Sequence, residues 1–299
     1  MNKNFITFVE FVVSLAQDKK KNFSIATNEI KEYINKLNKI EFLDIVKQIG
    51  MIPEQIEASS TSEKLFSKAS DIVLARCFSE LGLPSIAVGE RGNSADIIAE
   101  SKHGYTLVAD AKTFRLSRTA KNQKDFKIST LSNWRGTEHD FALLVAPYFQ
   151  YPSTVSQIYS SALDNEVCLL AWEHILFLLK NNVKEDTSMS LEQIWKAPSR
   201  IIRDTRISYA DRMNCHLDLI NKMICDRINI NITEFYKQLN ESTVDIKNRG
   251  QYELIFLDTR KEEIETLTRE EAIEELIKSK KINERITTIN KFISSLKES

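Results

Sequence analysis

The chain has 299 residues, enough for one large domain or two modest ones, so burial of a full core is not in question. Apolar residues at 42% and charged residues at 28% describe an ordinary globular protein, and a formal net charge of −1 excludes a globally basic nucleic-acid binder. Only 7 Gly and 5 Pro disfavour a strand-dense sandwich and favour many helices.

Residues 5–13 read as an amphipathic core helix, because Glu10 interrupts the apolar run and nothing approaches about 18 uninterrupted apolar residues. A cytoplasmic protein is expected. Apolar residues recur at Ile30, Ile34, Leu37, Ile40, Phe42, Leu43, Ile45 and Val46 at near-helical spacing, predicting two or three helices over 5–50. Ser60 and Glu63 form a capping-box pattern, with Ser60 as N-cap and Glu63 reaching back to its amide. The helix they open runs to about Leu81, with Gly82 behind it as C-cap. Glu63 reads first as a cap and second as an accessory carboxylate for a metal site close by.

A short run follows at 85–88. Residues 94–100 and 105–112 then predict two strands facing each other across the polar turn 101–104. Residues 114–127 are the most basic local stretch and lead towards a helix ending near Trp134. Residues 141–146 and 167–172 read as buried strands with a helix near 154–163 between them, so part of the sheet is parallel. From Glu173 onward the pattern is helical: a core helix at 175–179, then long amphipathic segments at 203–248, 250–280 and 282–296. Thr268 and Glu271 repeat the capping logic within them. Cys77, Cys168, Cys215 and Cys225 lack CxxC spacing and read as reduced thiols, although Cys215-His216 with Cys225 is half of a zinc pattern.

The chemistry concentrates at the ends of the predicted hairpin. Side chains alternate along a strand, so Asp110 and Lys112 point to one side, and Asp96 opens the neighbouring strand. Two carboxylates and the Ala111 carbonyl offer hard oxygen ligands suited to Mg²⁺, one or two ions per site. Such a site can activate water against a phosphodiester, with Lys112 near the attacking water or the scissile phosphate. His103 falls in the turn and is read as solvent-exposed. On spacing alone, a hairpin whose charged ends merely face water stays open.

Asp96 with Asp110-Ala111-Lys112 resembles the signature of the PD-(D/E)xK nucleases, with Ala95 where that superfamily often has proline and Asp110 where it often has glutamate. Residues 63–69, 107–112, 114–127 and 149–152 resemble the type II restriction endonucleases among them, densely over 55–175 and patchily elsewhere. The resemblance implies an α/β fold with a restriction-endonuclease-like central mixed sheet flanked by helices, and extensive additional N- and C-terminal helices. It further implies a homodimer that cleaves both strands of a palindrome, AAGCTT cut between the adenines, leaving 5′-phosphate ends. Mg²⁺ would serve as cofactor and Mn²⁺ would substitute. A cognate DNA methyltransferase would modify the same site without touching this chain.

By carry-over, Asp96, Asp110 and Lys112 form the catalytic set. The metal ligands would be Asp96, Asp110 and Ala111, with Glu63 as the accessory carboxylate. In the basic stretch, Asn122 and Gln123 suit adenine, Lys124 suits guanine and Asp125 suits the cytosine amine. Arg115, Arg118, Lys121 and Lys127 suit phosphates. The expected division, within one compact domain overall, is an N-terminal helical layer (1–58), a catalytic core (59–180) with a DNA-recognition segment (115–135), and a helical region (181–299) packed on the core with a possible dimer interface. Two other roles fit the same residues: a structure-specific or repair nuclease, and a DNA-binding module without turnover.

Overall fold

The computed structural model describes residues 1–89, 95–118, 123–152 and 156–295. Three helices open the chain: α1 (Lys3–Gln17), α2 (Phe23–Lys36) and α3 (Lys39–Val46). Each begins at an asparagine, Asn2, Asn22 or Asn38, whose side chain accepts a backbone N–H of the first turn. Helix α4 (Thr61–Glu80) is capped by Ser60, whose hydroxyl accepts the Glu63 N–H at 3.1 Å. The reciprocal half of the expected box is displaced by one residue. The Glu63 carboxylate accepts from the Ser59 N–H at 2.7 Å, because Ser59 itself turns into the left-handed region. After α4, Gly82 has φ +88, and a Cβ there would lie 2.3 Å from the Glu185 carbonyl, so this turn requires glycine on both grounds.

Five strands follow: β1 (Ser85–Ala87), β2 (Ile97–Glu100), β3 (Thr106–Ala111), β4 (Phe141–Ala146) and β5 (Val167–Ala171). Their order in the sheet is their order in the chain. β1, β2 and β3 run antiparallel, while β3, β4 and β5 are parallel, so the sheet is mixed and β3 is its pivot. The parallel crossovers carry α5 (Gln123–Phe126) and α6 (Ile128–Arg135), then α7 (Gln157–Asp164). The alternation of β3 divides the core. Leu107, Ala109 and Ala111 join α1–α4 on one face, and Val108 joins α6 and α7 on the other. β5 is buried along its whole length, as a strand covered on both faces should be. Each fully buried aliphatic side chain here is worth about 1.5–3 kcal/mol against exposure.

Then come α8 (Trp172–Lys180), α9 (Glu192–Trp195), α10 (Ala197–Arg203), α11 (Tyr209–Asn214), α12 (His216–Ile228), α13 (Ile232–Glu265), α14 (Arg269–Ser279) and α15 (Ile282–Ser295). The expected long segment 203–248 is broken, since Asp204 leaves the helical region and Asn229 closes α12 in the left-handed conformation. The expected break before residue 250 is absent: α13 runs through Gly250, where a helix interior tolerates glycine at about 1 kcal/mol relative to alanine. The residues group into two compact units, Met1–Gly250, which holds the sheet, and Gln251–Ser299. Among the described residues no helix is long and apolar enough to cross a membrane.

Candidate active site

Asp110 lies near the C-terminal end of β3, the pivot strand, and is almost wholly buried. Lys112 continues the alternation from the strand end, and its ammonium pairs with Asp110 Oδ2. The Lys112 backbone is fixed twice. Its N–H donates to the Val145 carbonyl of β4 at 2.7 Å, and its carbonyl accepts from Trp172 Nε1 at 3.2 Å. Asp96, just before β2, accepts at its carbonyl from the Val88 N–H at 2.8 Å, and its partly exposed carboxylate faces the same cleft.

A third acid comes from α4. Asp71 is buried in the middle of that helix, and one carboxylate oxygen from each of Asp71, Asp96 and Asp110 lies within 4.8 Å of the others. Lys68, one turn earlier on α4, lies 3.6 Å from Asp71 and 3.9 Å from Asp96 while donating to the Val88 carbonyl at 2.7 Å. These three acids and two ammonium groups face one cleft of about 470 Å³, whose lining also includes Lys64, Arg118, Asp125 and Lys127.

Burial holds the Asp71 carboxyl well above its ordinary range; the charge on Asp96 adds to this, and Lys68 opposes it. Burial likewise raises Asp110, against the pull of Lys112. The two lysines offset part of the negative charge, and a divalent cation would offset the rest. Three carboxylates with all-oxygen donors are the chemistry that Mg²⁺ or Mn²⁺ takes, so the residues present fit such an ion.

Of the residues expected from sequence, Asp96, Asp110, Ala111, Lys112, Arg118, Asp125 and Lys127 all line this cleft. Glu63 does not. Its carboxylate accepts from Arg115 at 2.8 Å and from the Ser59 amide, so it closes a helix start instead of serving as an accessory metal ligand. The Arg115 guanidinium donates to Glu63 and to the Pro53 carbonyl at 2.9 Å and lies 3.8 Å from Glu54, which ties the post-strand segment to the N-terminal layer.

Arg118 and Asp125 are ion-paired to each other at the cleft. Lys127 is exposed there and sits in the left-handed conformation before α6. Lys121 and Asn122 lie outside the described residues, as do the side chains of Gln123 and Lys124 on α5. His103 is exposed, its Nε2 2.7 Å from the Asp186 carbonyl.

Sequence reasoning missed Asp71 and Lys68. A signal was present. Asp71 is the only acid between Glu63 and Glu80, and its neighbours Ile72, Val73 and Leu74 are all core residues. An acid inside a helix buried nearly all round needs a partner or a cation.

Comparison with known proteins gives the family. Residues 6–293 match the family described as HindIII restriction endonuclease. The chain is 43% identical over 278 residues to the Type II restriction enzyme HindIII of Haemophilus influenzae, covering 93% of this chain and 92% of that one. A solved structure of restriction endonuclease FokI aligns with 60% of this chain and 33% of its own, at 10% identity and a TM-score of 0.34.

Proposed function

Because the chain belongs to the HindIII restriction endonuclease family, it is a type II restriction endonuclease, and we propose that it cuts both strands of AAGCTT between the adenines in a Mg²⁺-dependent reaction. The observation that carries the mechanism is the convergence of Asp71, Asp96 and Asp110 with Lys112 paired against Asp110.

The three carboxylates, with the Ala111 carbonyl beside them, are the groups that would hold the divalent ion. Mn²⁺ would be accepted in place of Mg²⁺. When bound, the ion supplies positive charge against the transferring phosphoryl group and lowers the pKa of water. Lys112 holds a proton donor next to Asp110, in place to stabilise charge on a phosphate oxygen or to order the attacking water. Lys68 shields the Asp71–Asp96 pair and keeps Asp71 turned towards the cleft. The attacking oxygen comes from water and the leaving oxygen is the 3′ one, so the product ends carry 5′-phosphate.

DNA is gripped on the α5 side of the cleft. Lys127 meets a phosphate, and Lys121 joins it. Arg118 transfers from Asp125 to a phosphate as DNA binds, which leaves Asp125 to accept from a cytosine amine. Asn122, Gln123 and Lys124 read the remaining bases.

A palindrome presents two antiparallel copies of one cleavage point, so a homodimer places one active site on each strand. A methyltransferase of the same specificity protects the host DNA without contacting this chain, and both work in the cytoplasm.

Sequencing the ends of a plasmid digested with Mg²⁺ tests this reading. Discrete ends at A/AGCTT are expected, and Asp110→Asn should bind the same duplex without cutting it. Ends scattered over unrelated sequences, or preferential cutting of branched or damaged DNA, would overturn it.

A further inference from the structure

Twelve of the nineteen large apolar side chains that stand exposed among the described residues fall within the unit Gln251–Ser299. On α15 they are Ile282, Ile286, Ile289 and Ile293, between 39% and 58% exposed. Their spacing of four, three and four residues puts all four on one helix face, the pattern of a seam that packs against another helix. On α14, Ile273, Leu276 and Ile277 are exposed, and that helix has no buried residue. Helices of 11 and 14 residues are marginal in water by themselves and owe their stability to packing an apolar face. This face needs a cover.

The surface it matches best is its own. The other seven exposed large apolar residues among the described ones are spread through the chain from Ile25 to Val244, with no comparably dense stripe among them. The described positions that flank the seam, Asn283, Arg285 and Asn290, carry one charge among them, so pairing two copies brings little like charge together. A self-complementary patch closes by two-fold symmetry.

We propose that Gln251–Ser299 is the face through which two copies of this chain pair, with the α15 isoleucine seam at its centre. This rests on the two-copy reading above and names the surface that makes it.

Sedimentation of the full-length wild type, of Ile286→Glu/Ile289→Glu, and of Ile40→Glu as an exposed control from the other unit tests the assignment. The wild type and the control should sediment at twice the 34.4 kDa chain mass. The double variant should be monomeric at the same concentration, with self-association weakened at least about 100-fold, and should nick plasmid without linearising it. A double variant that remains dimeric overturns the seam while the two-copy reading stands. A monomeric wild type overturns both. If near-UV circular dichroism shows the double variant unfolded, hydrogen exchange on the wild type decides: protection over residues 282–293 should rise with protein concentration. Protection that is equal at all concentrations means the chain covers its own seam, which overturns the proposal.

Discussion

Asp71 and Asp110 are acids that burial pushes above their ordinary range, and that fixes how they act on stability. A carboxyl raised in the folded state favours folding while it is protonated. The benefit is present below the unfolded value of about 4 and is lost as pH rises from there. At neutral pH without a divalent ion the cluster therefore opposes folding. Asp71→Asn should raise the melting temperature of metal-free protein at pH 7.5 by a few degrees, each 1 kcal/mol being worth about 2–4 °C at this size. The same variant should lose most of the stabilisation that Mg²⁺ gives the wild type. Calorimetry with chelator and with Mg²⁺ checks both, and a lower melting temperature for Asp71→Asn in chelator would show that the site is not held under charge strain.

Lys127 is exposed at the cleft, and the proposed phosphate contact would act through its charge. Lys127→Ala should weaken binding to all duplexes alike and reduce the slope of log affinity against log salt by about one. An unchanged slope would remove it from the phosphate contacts.

At this scale Asp96, Asp110 and Lys112 were legible because strand alternation is local and periodic. Asp71 was not, because its carboxylate reaches the others only through the packing of α4 on the sheet. The partners of Arg115 were hidden for the same reason: its acceptors Pro53, Glu54 and Glu63 lie some fifty to sixty residues earlier in the chain.

Two helices that pack close to β5 carry buried histidines with opposite degrees of support. His174 on α8 receives the Ala171 N–H at its Nδ1 and meets Asn221 at 2.6 Å through its Nε2. His216 opens α12 with neither ring nitrogen bonded among the described residues and its ring 5.3 Å from that of Tyr159. Burial pushes both down to about 4. Their neutral forms support the fold above the unfolded value near 6.5, and that support is lost as pH falls towards 4. His216→Phe keeps a ring against Tyr159 and removes two unbonded nitrogens. It should raise the melting temperature and flatten its decline between pH 6.5 and 4.5, which a thermal melt series measures. A variant that melts lower at every pH would show that His216 has a polar partner after all.

The sheet elements themselves were readable, since β4 and β5 are uninterrupted apolar runs and the hairpin of β2 and β3 has a polar turn. Helix ends were less so. Gly250 looks like a terminator in sequence, but the residues on both sides are strong enough helix formers to carry α13 through it.

Over the whole molecule, the mixed sheet places β3 where antiparallel and parallel pairing meet, and the catalytic strand end opens to the cleft beside α4. α4 and the hairpin bring Asp71, Asp96 and Asp110 to that cleft, and the segment after β3 brings Arg118, Asp125 and Lys127. Under the proposed pairing, the exposed isoleucines of α15 would bring in the second active site that cutting two strands needs. The fold class was legible from the order of strands and helices. The division at Gly250 was not, because the amphipathic periodicity of helices is the same whichever unit they belong to.

In the proposed reaction Asp71, Asp96, Asp110 and Lys112 form the cutting centre and Glu63 stands outside it. Single-turnover cleavage of one AAGCTT duplex at saturating protein and Mg²⁺ tests it most directly, with Asp71→Asn, Asp96→Asn, Asp110→Asn, Lys112→Ala and Glu63→Gln compared side by side. The first four should each fall by about two to three orders of magnitude, and Glu63→Gln should stay within about tenfold of wild type. Asp71→Asn cutting near the wild-type rate while Glu63→Gln falls with the others would contradict it.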